Sequence, residues 1–115
     1  MSIYQLPPGL AFALDDAACA IHRNAVDHGF WPPERSHGES IALVHSELSE
    51  CLEALRHGNP PDEHCPEFSN APVELADAII RILDMAAAHG WRIGDALVAK
   101  HAYNVTRPRK HGKEF

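Results

Sequence analysis

Positive charge is in short supply in this 115-residue chain: ten Lys and Arg stand against sixteen Asp and Glu, a formal charge of −6. That balance argues against a general binder of nucleic acid polymers, whose domains normally carry a basic excess. Cysteine is scarce too. Cys19, Cys51 and Cys65 make an odd count without close spacing, so no disulfide framework follows and a reduced, cytoplasmic protein is expected. The pair His64–Cys65 has no C-x-x-C companion to suggest zinc. No apolar run is long enough for a membrane span, and a membrane partner is not expected. A signal peptide is not expected either, because no basic region precedes the first apolar residues and Asp15 and Asp16 interrupt them. Strand alternation, internal repeats and low-complexity tracts are also missing.

What remains is helical. Apolar residues make up 45% of the chain, enough for the core of one domain over residues 1–115. Residues 1–13, with Pro7, Pro8 and Gly9, form an irregular lead-in. Helices are predicted over about 14–28, 39–57, 72–89 and 94–106, closed by Gly29, Gly58, Gly90 and Pro108. The prolines of FWPPERSHG break the chain after the first helix. Residues 58–71 form a long, proline-rich loop, either functional or a tolerated insertion. Four helices with mostly short links predict an all-α fold, a four-helix bundle. A chain this short gains from self-association.

Charge is unevenly spread. Lys100, Arg107, Arg109, Lys110 and Lys113 place half of the basic residues in the last sixteen positions, ending in a basic tail over 107–115, while the acids crowd the middle. In the third helix one polar row, Glu74, Asp77, Arg81 and Asp84, runs between two apolar rows, Val73–Ala76–Ile80–Leu83–Ala87 and Leu75–Ile79–Ile82–Ala86. Such a helix is expected to be buried nearly all round, with its charged row buried too or lining a cavity. In the second helix Glu47 and Glu50 share a stripe beside the apolar row Val44–Leu48–Cys51–Leu55. An E-x-x-E pair alone is common on exposed helices. Side by side, however, the two helices bring Glu47 and Glu50 toward Glu74 and Asp77. Arg81 offsets one of these charges and not all of them, and each unpaired buried carboxylate costs several kcal/mol, roughly. A hard divalent cation such as Mg²⁺ resolves the repulsion with oxygen ligands.

E-L-S-E at 47–50 and E-L-A-D at 74–77 resemble the E-x-x-E … E-x-x-D signature of the MazG-like, all-α nucleoside triphosphate pyrophosphohydrolases. The ending KHAYNVTRPRKHGKEF resembles the K-x-x-x-N-x-x-R-P-x-K-H-G-K-x-F tail of small members, and IHRNAVDHGFW resembles their first helix and its exit. The resemblance covers about residues 20–115. It implies a four-helix fold assembled as a homodimer or homotetramer. It also implies Mg²⁺-dependent cleavage of a nucleoside triphosphate between the α- and β-phosphates, giving the monophosphate and pyrophosphate, with Mn²⁺ a possible substitute. A non-standard or surplus deoxynucleotide is the substrate it suggests. Carried over by position, Glu47, Glu50, Glu74 and Asp77 match the metal-binding acids, and Lys100 and Asn104 match a polar pair on the last helix.

Chemistry extends this set. Glu47 or Glu50 is the expected proton acceptor from an attacking water. Lys100, Asn104 and Arg107 share a helix face that suits phosphates, and Arg109, Lys110 and Lys113 follow in a tail able to fold over them. His22, Asn24 and Trp31, beside Phe30, supply hydrogen-bonding and stacking groups for a base, although the aromatics also suit plain packing under a loop. Two other readings compete. A helical module could hold nucleotides without cleaving them. A ferritin-like di-metal carboxylate bundle would need E-x-x-H on two helices, and only Glu34–His37 has that spacing, in a loop. Because the third helix is apolar on two sides, a neighbouring chain is expected to cover it and to complete the site.

Overall fold

The computed structural model describes residues 2–114, in which four α-helices and no strand form: α1 Leu10–Asp27, α2 His37–Arg56, α3 Asn70–Ala88 and α4 Ile93–Val105. The all-α expectation holds. Met1 of the predicted lead-in and Phe115 of the predicted tail lie outside the described residues. No helix among them is long and apolar enough to cross a membrane.

Helix starts differ from the sequence reading for identifiable reasons. α1 begins at Leu10 rather than near Leu14, because Gly9 (φ 76°) turns the chain directly into the helix without a capping side chain. α2 opens with Ser36, whose hydroxyl accepts the Glu39 N–H at 3.1 Å, with Glu39 in the favourable first turn. α3 starts at Asn70, where Asn59 Oδ1, from across the preceding loop, accepts the Ala71 N–H at 2.7 Å. α4 takes its cap from another helix: Asp15 Oδ1 accepts the Gly94 N–H at 2.8 Å. A Cβ on Gly94 would stand 2.1 Å from the Ala11 carbonyl oxygen, so only glycine allows α4 to cross α1 this closely.

α2 packs on α3, α3 on α1, and α1 on α4. The predicted bundle is therefore an open row with α1 and α3 in the middle. Its radius of gyration is 16.5 Å, wider than the ~13 Å expected for a compact chain of this length. The seams are lined by small residues: Ala18 of α1, Cys51 and Ala54 of α2, and Ala71, Ala78 and Ala86 of α3, with Leu83 and Met85, are the buried apolar residues. The three cysteines are free.

Burial of α3 departs from the sequence expectation along its isoleucines. Asp84 is buried, and Glu74, Asp77 and Arg81 are half-buried, whereas Ile79 is 55% exposed and Leu75, Ile80 and Ile82 are exposed as well. The expectation of burial all round fails within one chain. The helix turns its charged row toward α2 and α1 and its isoleucines outward. Ile41, Leu48, Leu52 and Leu55 make a matching exposed stripe along α2. Apolar groups left in water are unfavourable by about 25 cal/mol per Å², so covering this face would be favourable.

Beyond α4, residues Arg109–Gly112 form a short turn in which Lys110 (φ 55°) and His111 (φ 52°) adopt the left-handed conformation. The basic tail is thus irregular, with Arg107 half-buried and residues 108–114 exposed.

Candidate functional site

Where α2 lies against α3, Glu47, Glu50 and Glu74 each offer a carboxylate oxygen, all within 4.8 Å of one another. Helical geometry accounts for this. Glu47 and Glu50 are three residues apart on the α2 face that meets α3, and Glu74 projects from the first turns of α3 toward them. Glu47 is only 7% exposed, Glu74 is half-buried and Glu50 is open to solvent. Burial chiefly, then the neighbouring Glu50 and Glu47 carboxyls, hold the Glu74 carboxyl at about 7 rather than 4.5. Glu74 Oε2 is buried with no hydrogen-bond partner among the described residues. A buried acceptor facing two further carboxylates calls for a proton or a cation. Oxygen donors alone, without histidine, suit a hard divalent ion of the Mg²⁺ or Mn²⁺ type and not the His-containing ferritin-like set.

Asp77, the fourth predicted acid, stands one turn further along α3 and outside that group of three. Burial first, then the charge of Glu47, raise its carboxyl above the usual range, while Arg81 pulls it back. Arg81 Nε donates to Glu47 Oε1 at 2.7 Å. Glu47, Asp77, Arg81 and Asp84 then line a cavity of about 530 Å³ together with the amide of Asn24 and the apolar Ala20, Ile21, Ala25, Phe30 and Ile80. That size and mixture suit a small organic ligand. The acidic cluster and the cavity share Glu47, so a molecule in one is next to the other.

The three predicted base-binding residues separate. Asn24 lines the cavity together with Phe30. His22 and Trp31 do not; both are bound to the buried carboxylate of Asp84. The His22 Nδ1–H donates to Asp84 Oδ1 at 2.8 Å, and the Trp31 Nε1–H donates to both oxygens, at 2.9 and 3.0 Å. Arg35 stacks over the Trp31 ring at 4.2 Å. These contacts tie the exit of α1 to α3.

The 58–71 loop is clasped to the site. Asp62, buried, accepts the backbone N–H groups of His64 (2.9 Å) and Cys65 (2.8 Å) on Oδ2 and the Asn70 amide on Oδ1 at 2.6 Å. The Cys65 N–H above all holds the Asp62 carboxyl below its ordinary range. The same Asn70 amide nitrogen donates to Glu74 Oε1 at 3.3 Å. His64 and Cys65 thus act through their backbone, and the loop has a definite structural task.

Lys100 and Arg107 gather instead around the Tyr103 ring, at 4.9 and 5.4 Å, and Arg107 Nη2 donates to the His111 carbonyl at 3.2 Å. Asn104 carries a buried Oδ1 without a partner among the described residues. Lys110 Nζ donates to the Glu114 carbonyl at 3.2 Å, and Arg109 and Lys113 are exposed. Because α4 packs chiefly on α1, none of these six lines the cavity within one chain. Sequence reasoning missed Asp62, Asn70 and Asp84. The first two have no periodic signal, and Asp84 was read only as one more member of the polar row. Comparison of the chain with protein-family models, with curated proteins and with solved structures finds no match.

Proposed function

We propose that this chain is a divalent-metal-dependent nucleoside triphosphate pyrophosphohydrolase of the MazG-like kind. The observation that carries this reading is the convergence of Glu47, Glu50 and Glu74 beside a cavity of about 530 Å³ that the cluster shares through Glu47. Glu47, Glu50 and Glu74 would hold Mg²⁺, with Asp77 in the adjoining cavity wall. Bound there, the ion supplies charge neutralisation for a triphosphate and lowers the pKa of a water. Glu47 is buried and committed to Arg81, whereas Glu50 is exposed. Glu50 is therefore the carboxylate that accepts the proton of the attacking water. The water oxygen bonds to the α-phosphorus, the bond to the α–β bridging oxygen breaks, and that oxygen leaves with pyrophosphate. Asn24 offers an amide to a base edge, and Phe30, Ile21 and Ile80 give it an apolar seat.

A second copy of the chain belongs to this reading. The exposed leucines and isoleucines of α2 and α3 present on the order of 700 Å² of apolar surface, against ~800 Å² per partner in a standard interface. A homodimer or homotetramer formed over this face covers it. Assembly also allows the basic residues of one chain's α4 and tail to approach a neighbour's site.

The test is a panel of canonical and modified nucleoside triphosphates with Mg²⁺ and pyrophosphate detection. Release from at least one substrate is expected. Glu50→Gln and Asp77→Asn are expected to abolish turnover, by about 10²-fold or more, with helicity unchanged. Binding without release would instead favour a nucleotide-holding module.

A further inference from the structure

Arg81 is the only cationic side chain among the described residues that line the cavity. Its ion pair with Glu47 is made through Nε, and neither Nη atom has a hydrogen-bond partner among the described residues, which leaves the forked end of the guanidinium open to a ligand. Its side chain is 28% exposed, and its partner's 10%. A guanidinium tolerates such partial desolvation better than an ammonium, and an anchored one loses little further freedom when it binds. Neutralising Glu47 alone would be served by any cation in contact. The placement at the junction of acidic cluster and cavity does more, because an anion entering the cavity meets this one positive group next to the carboxylates.

We propose that Arg81 is the residue of this chain that grips the substrate's phosphates, with Glu47 as the brace that aims it. This rests on the pyrophosphohydrolase reading. It adds a phosphate contact made from inside the α2–α3 site, separate from the basic residues of α4 and the tail. The fork offers two parallel donors to one phosphate group, a charge-assisted geometry that lysine cannot reproduce.

Calorimetric titration of the full chain with Mn²⁺ alone, and then with the Mn²⁺ complex of inorganic triphosphate, tests this. Arg81→Met is expected to bind Mn²⁺ at least as tightly as the parent, since Glu47 loses a competing cation. Its affinity for the triphosphate complex is expected to fall by about 10- to 100-fold, with Arg81→Lys in between. A triphosphate affinity within about threefold of the parent would overturn the proposal. So would a parallel loss of Mn²⁺ and triphosphate binding, which marks Arg81 as a support for Glu47 only. Should Arg81→Met fail to fold by circular dichroism, Arg81→Lys decides: weaker triphosphate binding at unchanged Mn²⁺ affinity supports the contact, and unchanged binding of both refutes it. A parent chain that binds neither probe overturns the metal-site reading as well. A parent that binds both, alongside an equally competent Arg81→Met, removes Arg81 alone.

Discussion

Replacing Glu74 by Gln isolates the electrostatic cost of the acidic cluster. In the folded chain this carboxyl keeps its proton up to about pH 7, whereas the ordinary value is 4.5. Folding therefore takes up a proton between those values, and stability falls as pH rises across them. The contribution is complete below pH 4.5 and is lost once pH has passed through 7. At 1.36 kcal/mol per pH unit the span amounts to ~3 kcal/mol, reduced to about 2 kcal/mol because Glu74 is only half-buried. Gln cannot ionise, so Glu74→Gln lacks this fall, while the raised Asp77 carboxyl remains in both proteins and cancels. Urea unfolding followed by far-UV circular dichroism, in a chelator, at several pH values from 4.5 to 8, gives the comparison. The parent is expected to lose about 2 kcal/mol relative to the variant over that range. Added Mg²⁺ should restore the parent above pH 7 and leave the variant unmoved. A parent-minus-variant difference that does not change with pH would refute the account of the cluster.

Gly94→Ala should destabilise the fold by about 2–4 kcal/mol in thermal or urea unfolding, since its methyl group would overlap the Ala11 carbonyl of α1. Ile79→Glu should leave helicity intact and reduce the molecular mass seen by light scattering to that of a single chain. A parent already of single-chain mass, or a mass that the substitution leaves unchanged, would refute the proposed assembly over this face.

The helices were legible because their signals are local. Gly58 (φ 79°) and Gly90 (φ 68°) stop α2 and α3 where expected, and the proline clusters mark the breaks. The meeting of Glu47, Glu50 and Glu74 was legible from two helical stripes that only had to be laid together. Periodicity, however, says which residues share a face and not what the face meets. The isoleucine row of α3 was therefore expected inside, while the fold turns it outward and the charged row toward α2 and α1, where only Asp84 is fully buried. Pairings across long separations left no trace either. His22 and Trp31 reach Asp84 over 62 and 53 positions, and that bond takes them from the cavity wall. The resting place of α4 was equally hidden, since its cap is Asp15 of another helix.

One amide joins two carboxylates at the head of α3: Asn70 gives its nitrogen to Asp62 at 2.6 Å and to Glu74 at 3.3 Å. The proline-rich excursion and the acidic pocket are consequently a single mechanical piece. A displacement of Pro60–Asp62 would pass through that shared nitrogen to the Glu74 carboxylate, so the proposed cation site would feel a contact made at the far end of the loop.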